Sequence, residues 1–223
     1  MRGVDSMEIV PAILAENFDD CVKMLRQAES FTNYVQIDVM DGMFVPSKSF
    51  SLENINRVDT SIFFEVHLMV KDPLSLMAHI HHPQLKKVIF HVESDGNPLD
   101  FIKQMKEREL MAGMAINPGT PIDRFKKVSE HLDTLLFLTV DPGAYGSPFK
   151  HEVLGKIEEV KKIFPNKVIS VDGGISLDNL KLFVDLAVDY VCVGSRIFLK
   201  GDPKENYLKF VNKVKELRSD RSI

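Results

Sequence analysis

The chain has 223 residues, 44% of them apolar and 27% charged, with a formal net charge of -4. Those proportions belong to a globular protein, and the slight acidic balance gives no electrostatic basis for a nucleic-acid or anionic-membrane partner. No apolar run nears the ~18 residues of a membrane span, and residues 1–7 read as a ragged end without a leader's apolar core, so a cytoplasmic location is expected.

Residues 8–14 are a short apolar run holding Pro11 and form the first expected strand. Phe18, Cys21, Val22, Leu25 and Ala28 then recur at helical spacing, with Asn17 or Asp19 as the cap. A second strand covers 34–39 and runs into Asp38-Val39-Met40-Asp41-Gly42. A long loop and a weak helix over 51–58 lead to a third strand, 61–68, ending at His67. Asp72-Pro73 opens a helix to about 82, because proline is tolerated in a first turn. The pattern continues with strands at 86–91, 111–116 and 134–140, and helices at 98–108, 121–130 and 149–163. The seventh strand, Val168-Ile169-Ser170-Val171, stops at Asp172-Gly173-Gly174. A helix over 177–186, a strand ending Val193-Gly194-Ser195 and a last helix over 204–217 complete the chain. Cys21 and Cys192 sit far apart in apolar patterns and read as reduced core thiols.

Strands alternating with helices in this way imply a parallel sheet with helical crossovers. Eight such units in 223 residues suit a single-domain (β/α)8 TIM barrel. The rival, an open doubly wound sheet, lacks a G-x-G-x-x-G turn after the first strand. In a barrel the C-terminal strand ends converge on one mouth, and here those ends carry Gln36, Asp38, His67, His91, Glu93, Asn117, Asp141 and Asp172. Two carboxylates and an imidazole suit a divalent ion of the zinc, manganese or iron type. Two aspartates across a pocket equally suit opposed acid and base. Gly173 and Gly174, then Gly194 and Ser195, offer backbone amides to a phosphate after the last two strands. Met40 and Met69 follow two of the strand ends; they are either core filling or an apolar lid over a reacting carbon.

The segments Pro11-Ala12-Ile13-Leu14, Ile37-Asp38-Val39-Met40-Asp41-Gly42, Val66-His67-Leu68-Met69-Val70 and His91-Val92-Glu93 are followed by Asn117-Pro118-Gly119, Val140-Asp141-Pro142-Gly143, Val171-Asp172-Gly173-Gly174 and Val193-Gly194-Ser195. Read together, in this order, they resemble the ribulose-phosphate 3-epimerase family. The resemblance implies a metal-dependent isomerase that inverts carbon 3 of a phosphorylated ketose, taking D-ribulose 5-phosphate to D-xylulose 5-phosphate. By resemblance Asp38 and Asp172 are the acid-base pair and metal ligands, and His67 is a further ligand at the substrate. Phosphate is expected on Gly143, Ala144, Tyr145 and Gly146, on Gly173 and Gly174, and on Gly194 and Ser195. Such barrels commonly associate, so a homo-oligomer is expected.

The departures cluster on the same rim. Ala12 stands where the family carries serine, Met43 where it carries histidine, Leu138 where it carries methionine, and Tyr145 where it carries glycine. Gln36 replaces a metal-binding histidine and offers at best a neutral carbonyl oxygen, a poorer ligand than imidazole. The expectation is a kept phosphate grip with reduced or altered metal affinity. The alternatives are a hexulose-phosphate 3-epimerase of the allulose 6-phosphate type, a paralogue that binds sugar phosphate without metal or catalysis, and a decarboxylase or lyase. The last is disfavoured because no lysine lies between Asp38 and Asp41.

Overall fold

The computed structural model describes residues 7–143 and 147–219. Eight parallel strands close into a barrel in sequence order, β1 next to β2 and β8 next to β1. The strands are β1 (Glu8–Leu14), β2 (Tyr34–Met40), β3 (Phe63–Met69), β4 (Leu85–His91), β5 (Met111–Ile116), β6 (Thr134–Leu138), β7 (Val168–Asp172) and β8 (Tyr190–Val193). The helices are α1 (Phe18–Ala28), α2 (Pro73–Met77), α3 (Pro98–Glu107), α4 (Glu152–Ile163), α5 (Leu180–Asp185), α6 (Ser195–Phe198) and α7 (Pro203–Ser219). The fold is a (β/α)8 TIM barrel. Among the described residues no helix is long and apolar enough to cross a membrane.

Alternation along each strand divides the core in two. Ile13, Ile37, Val66, Val88, Leu135 and Val171 face outward onto helix residues such as Leu25, Met77, Phe101 and Phe183. Val10, Ala12, Ile89, Ala115, Leu136 and Cys192 fill the barrel interior. Cys21 and Cys192 are both free and buried. The interior also holds a buried ion pair, Lys87 Nζ lying 2.7 Å from Glu65 Oε2. Met40 and Met69 join Val45 in a small apolar cluster at the C-terminal mouth.

Several helices differ from the sequence expectation. Asn17 caps α1, its side chain accepting from the Asp20 amide. The helix expected over 72–82 ends at Met77. Beyond it the Arg108 guanidinium takes the carbonyls of Met77 and Ile80, and Asn56 takes the His79 carbonyl and the His81 amide. Pro83 then disfavours helical backbone at His82. The segments expected as helices over 51–58 and 121–130 are 3-10 turns, Leu52–Arg57, Ile122–Arg124 and Ser129–His131. In the latter the Phe125 carbonyl accepts both the Ser129 amide at 3.0 Å and the Ser129 hydroxyl at 2.9 Å, a back-bond of the kind that bends a helix. Helix α6 was not expected, since four residues are too few to show a period.

Candidate active site at the barrel mouth

The apolar runs of β2, β3 and β7 each give way to a polar side chain pointing into the same space. Asp38 pairs with His67 in the β2–β3 register, and Leu138 with Asp172 in that of β6–β7. His67 Nδ1 lies 3.0 Å from Asp38 Oδ1 and 3.7 Å from Asp172 Oδ2. Beneath them the amide nitrogen of Gln36 donates to Asp38 Oδ1 at 2.9 Å and to Asp172 Oδ2 at 2.7 Å. The Cys192 thiol donates to Gln36 Oε1 at 3.2 Å. Burial pushes that thiol's pKa well up, so its proton stays on sulfur.

The electrostatics of the cluster follow from burial and like charge. Burial, then the Asp38 carboxylate, raises the Asp172 pKa to about 7, so Asp172 exchanges a proton near neutrality. Burial opposes charge on His67, but its hydrogen bond to Asp38 and the charges of Asp38 and Asp172 win and raise its pKa. His91 is the reverse case: burial pushes it down to about 4 despite its hydrogen bond to Glu93. The two imidazoles meet through His67 Nε2 and His91 Nε2, 2.9 Å apart.

Asp38, His67 and Asp172 present three ligand atoms that lie within 4.8 Å of one another. Two carboxylate oxygens and an imidazole nitrogen fit a divalent transition ion. Gln36 does not add a fourth donor as it sits, because two carboxylate oxygens demand N–H from it and its carbonyl oxygen turns toward Cys192.

A cavity of about 270 Å3 opens above this cluster, a size for a small molecule. Asp38, His67 and Asp172 form its floor, and Gly143, Gly173, Gly174, Gly194 and Ser195 lie on its wall. Gly173 has φ +104°, and a Cβ there would meet Val140 Cγ2 at 2.4 Å. Thr139 holds this turn, its amide donating to the Asp172 carbonyl at 2.8 Å and its hydroxyl to the Gly173 carbonyl. Ala144, Tyr145 and Gly146 lie outside the described residues. Met69 lines the cavity, whereas Met40 is packed beside it in the apolar cluster. Asp141 is turned out to Lys150, 3.0 Å away. His91 and Glu93, which the sequence placed among the strand-end polar residues, and Cys192, read there as a core thiol, support the cluster from behind.

Residues 8–198 match the ribulose-phosphate 3 epimerase family. The chain belongs to that family. It is therefore of the isomerase class. A ribulose-phosphate 3-epimerase of Candida glabrata is 29% identical over 216 residues, covering 88% of this chain and 88% of that protein. One of Bacillus subtilis is 30% identical over 208 residues, covering 89% and 95%. Among solved structures, 3-keto-L-gulonate-6-phosphate decarboxylase from Vibrio cholerae superposes with a TM-score of 0.69 at 11% identity, over 96% of this chain and 99% of that one. A 3-hexulose-6-phosphate synthase from Salmonella typhimurium gives 0.67 at 16%, over 95% and 100%. At such identity the likeness is one of fold alone. Within the epimerase family, this chain's Ala12 and Leu138 leave the cavity wall apolar beside the aspartates.

Proposed function

We propose that this chain interconverts D-ribulose 5-phosphate and D-xylulose 5-phosphate, with Asp38 and Asp172 moving the proton at carbon 3. The observation that carries the reading is the facing pair itself, two carboxylates joined through His67 Nδ1 at 3.0 and 3.7 Å on the floor of one cavity. Inverting a carbon beside a ketone needs a base on one face and an acid on the other. Asp172, which exchanges a proton near neutrality, suits either role: one aspartate removes the carbon 3 proton, and the other returns one from the opposite face. The enediolate between the two steps is planar at carbon 3, which is what lets the configuration change. Met69 and Leu138 keep water from the reacting carbon.

Asp38, His67 and Asp172 are the residues that would hold the family's divalent ion, and Gln36 a fourth only if its amide turned over. When bound, such an ion acts as a Lewis acid toward the ketone and the oxyanion that develops from it. The substrate phosphate would lie on the backbone of Gly173, Gly174, Gly194 and Ser195, with Gly143 at the edge.

The test is proton exchange in heavy water with ribulose 5-phosphate, following deuterium at carbon 3 by NMR, with and without added zinc, manganese or iron. Uptake abolished by Asp38→Asn and by Asp172→Asn is expected. Exchange only with a hexulose phosphate would keep the chemistry and change the substrate. Binding of sugar phosphates without any exchange would leave a non-catalytic binder, the reading that the Gln36 amide between the carboxylates favours.

A further inference from the structure

The cavity wall that carries Gly194 and Ser195 continues into Arg196. We propose that Arg196 is a phosphate-binding residue, its side chain closing over the substrate's phosphate from the β8 side and selecting a phosphorylated ketose over a neutral one. The inference rests on the reading above that the phosphate lies on this wall, and it adds a cation to what the glycines offer.

Charge singles out this residue. The cavity floor holds two carboxylates, Asp38 and Asp172. A phosphate dianion entering above them meets like charge. The backbone of Gly173, Gly174 and Gly194 gives it dipoles but no countercharge. Among the described residues that line the cavity, Arg196 is the one lysine or arginine. Residues 144–146, Ala-Tyr-Gly, supply no cation by sequence.

Position agrees with charge. Strand β8 ends at the buried Val193, and Ile197 is buried again. The Gly194 carbonyl accepts from the amides of Ile197 at 2.9 Å and Phe198 at 3.1 Å. Between these anchors Arg196 is exposed at the cavity rim. It also borders a shallow groove outside the mouth, with Leu177, Asp178 and Lys209. Asp178 shares that groove but makes no ion pair with it. Among the described residues no hydrogen bond, ion pair or ring contact engages Arg196. Other cations are already engaged: Arg108 and Lys156 by backbone carbonyls, Lys150 by Asp141. A guanidinium without a partner breaks no bond to meet a phosphate, and its planar fork matches a pair of phosphate oxygens.

Arg196→Ala and Arg196→Lys test the assignment, with inorganic phosphate as the probe in calorimetry. Phosphate affinity should fall about tenfold in Arg196→Ala, the weight of a hydrogen bond to a charged group. Arg196→Lys should recover only part of it, since an ammonium lacks the fork. The gap between wild type and Arg196→Ala should narrow between ~0.01 M and ~1 M salt, as the screening length drops from about 30 Å to about 3 Å. With ribulose 5-phosphate, KM should rise by a similar factor while kcat falls less. The side chain is exposed, so both variants should fold, which their melting temperatures check. Equal phosphate affinity in folded Arg196→Ala would overturn the proposal, as would a gap that salt leaves constant or a wild type that binds no phosphate. The binding measurement is independent of the chemistry. Weakened phosphate in Arg196→Ala, with no deuterium exchange on any sugar phosphate, would keep this residue and sink the epimerase reading. Normal exchange with equal phosphate affinities would do the reverse.

Discussion

Gln36 and Asp172 are 136 positions apart in the chain, yet the Gln36 amide donates to Asp172 Oδ2 at 2.7 Å. The second proton of the same nitrogen goes to Asp38 Oδ1 at 2.9 Å. An imidazole in this place could release a proton and turn a lone pair to a cation, which an amide N–H cannot do. Gln36→His is therefore expected to raise zinc or manganese affinity at least about tenfold, in line with the weight of a metal-site partner. Calorimetry on metal-free protein measures it. Equal affinities would mean that Gln36 already serves as a ligand with its amide reversed.

The loop above β2 gives a pH-dependent prediction. Asp41 Oδ1 accepts from the amides of Met43 at 2.7 Å and Phe44 at 2.8 Å, and Oδ2 from that of Lys71 at 2.7 Å. Partial burial pushes this carboxyl up, but the three amides outweigh it and hold its pKa below the ordinary 3.8. A folded-state pKa below the unfolded one gives stability that is present above the ordinary value and lost as pH falls through the folded one. Asp41→Ala should cost about 1–2 kcal/mol at neutral pH. Denaturant unfolding from pH 7 downward should show the gap to wild type narrowing below about pH 4. A constant gap across that range would show that the carboxylate charge contributes nothing.

Much of this site was legible before the structure, and the reason is local. A parallel strand buried on both faces reads as an apolar run, so a polar residue ending one stands out; Asp38, His67 and Asp172 were found that way. The glycine pair was legible because only glycine suits the backbone at Gly173. What joins them was not legible. Cys192 reaches Gln36 across 156 positions, and nothing in either segment alone announces the other. His91 and Glu93 stood out as strand-end polars, but their link to His67 depends on ring rotation. The crossover over 121–130 failed for a different reason: apolar spacing cannot show that a serine hydroxyl bonds back to the carbonyl four residues earlier, beside its own amide.

Gly173 tests the phosphate wall. An alanine there would face both an unfavourable φ of +104° and Val140 Cγ2 at 2.4 Å. Gly173→Ala should lose about 1–3 kcal/mol of stability, and weaken phosphate binding about tenfold by displacing the turn's amides. Adding Val140→Ala should relieve the clash but not the backbone strain, so recovery is partial. Calorimetric titration of inorganic phosphate separates the two. Full phosphate affinity in a folded Gly173→Ala protein would remove this turn from the binding wall.

The floor of the barrel makes the strongest stability prediction. Lys87 and Glu65 form an ion pair at 2.7 Å with side chains only 6% and 2% exposed. Tyr34 donates to the same Glu65 oxygen at 2.9 Å, and Lys87 lies over the rings of Tyr34 and Tyr190. Burial, then the Glu65 charge, drives the Tyr34 pKa far up, so the phenol remains a donor. Removing one partner of such a pair strands the other charge, which costs far more than the pair contributes. Lys87→Met should cost about 3–5 kcal/mol. Because each kcal/mol moves the midpoint of a domain this size by about 2–4 °C, a drop of roughly 10 °C is expected. Lys87→Met with Glu65→Gln should recover most of it, since a neutral amide still accepts from Tyr34. The pair also bears on the site above, because the Glu65 charge helps to raise the Asp172 pKa, and Lys87, 2.7 Å from it, offsets that charge. Lys87→Met should therefore hold the proton on Asp172 to higher pH, an effect the double substitution cancels. A single variant that loses less than 1 kcal/mol would show that Glu65 simply takes up a proton when its partner is gone.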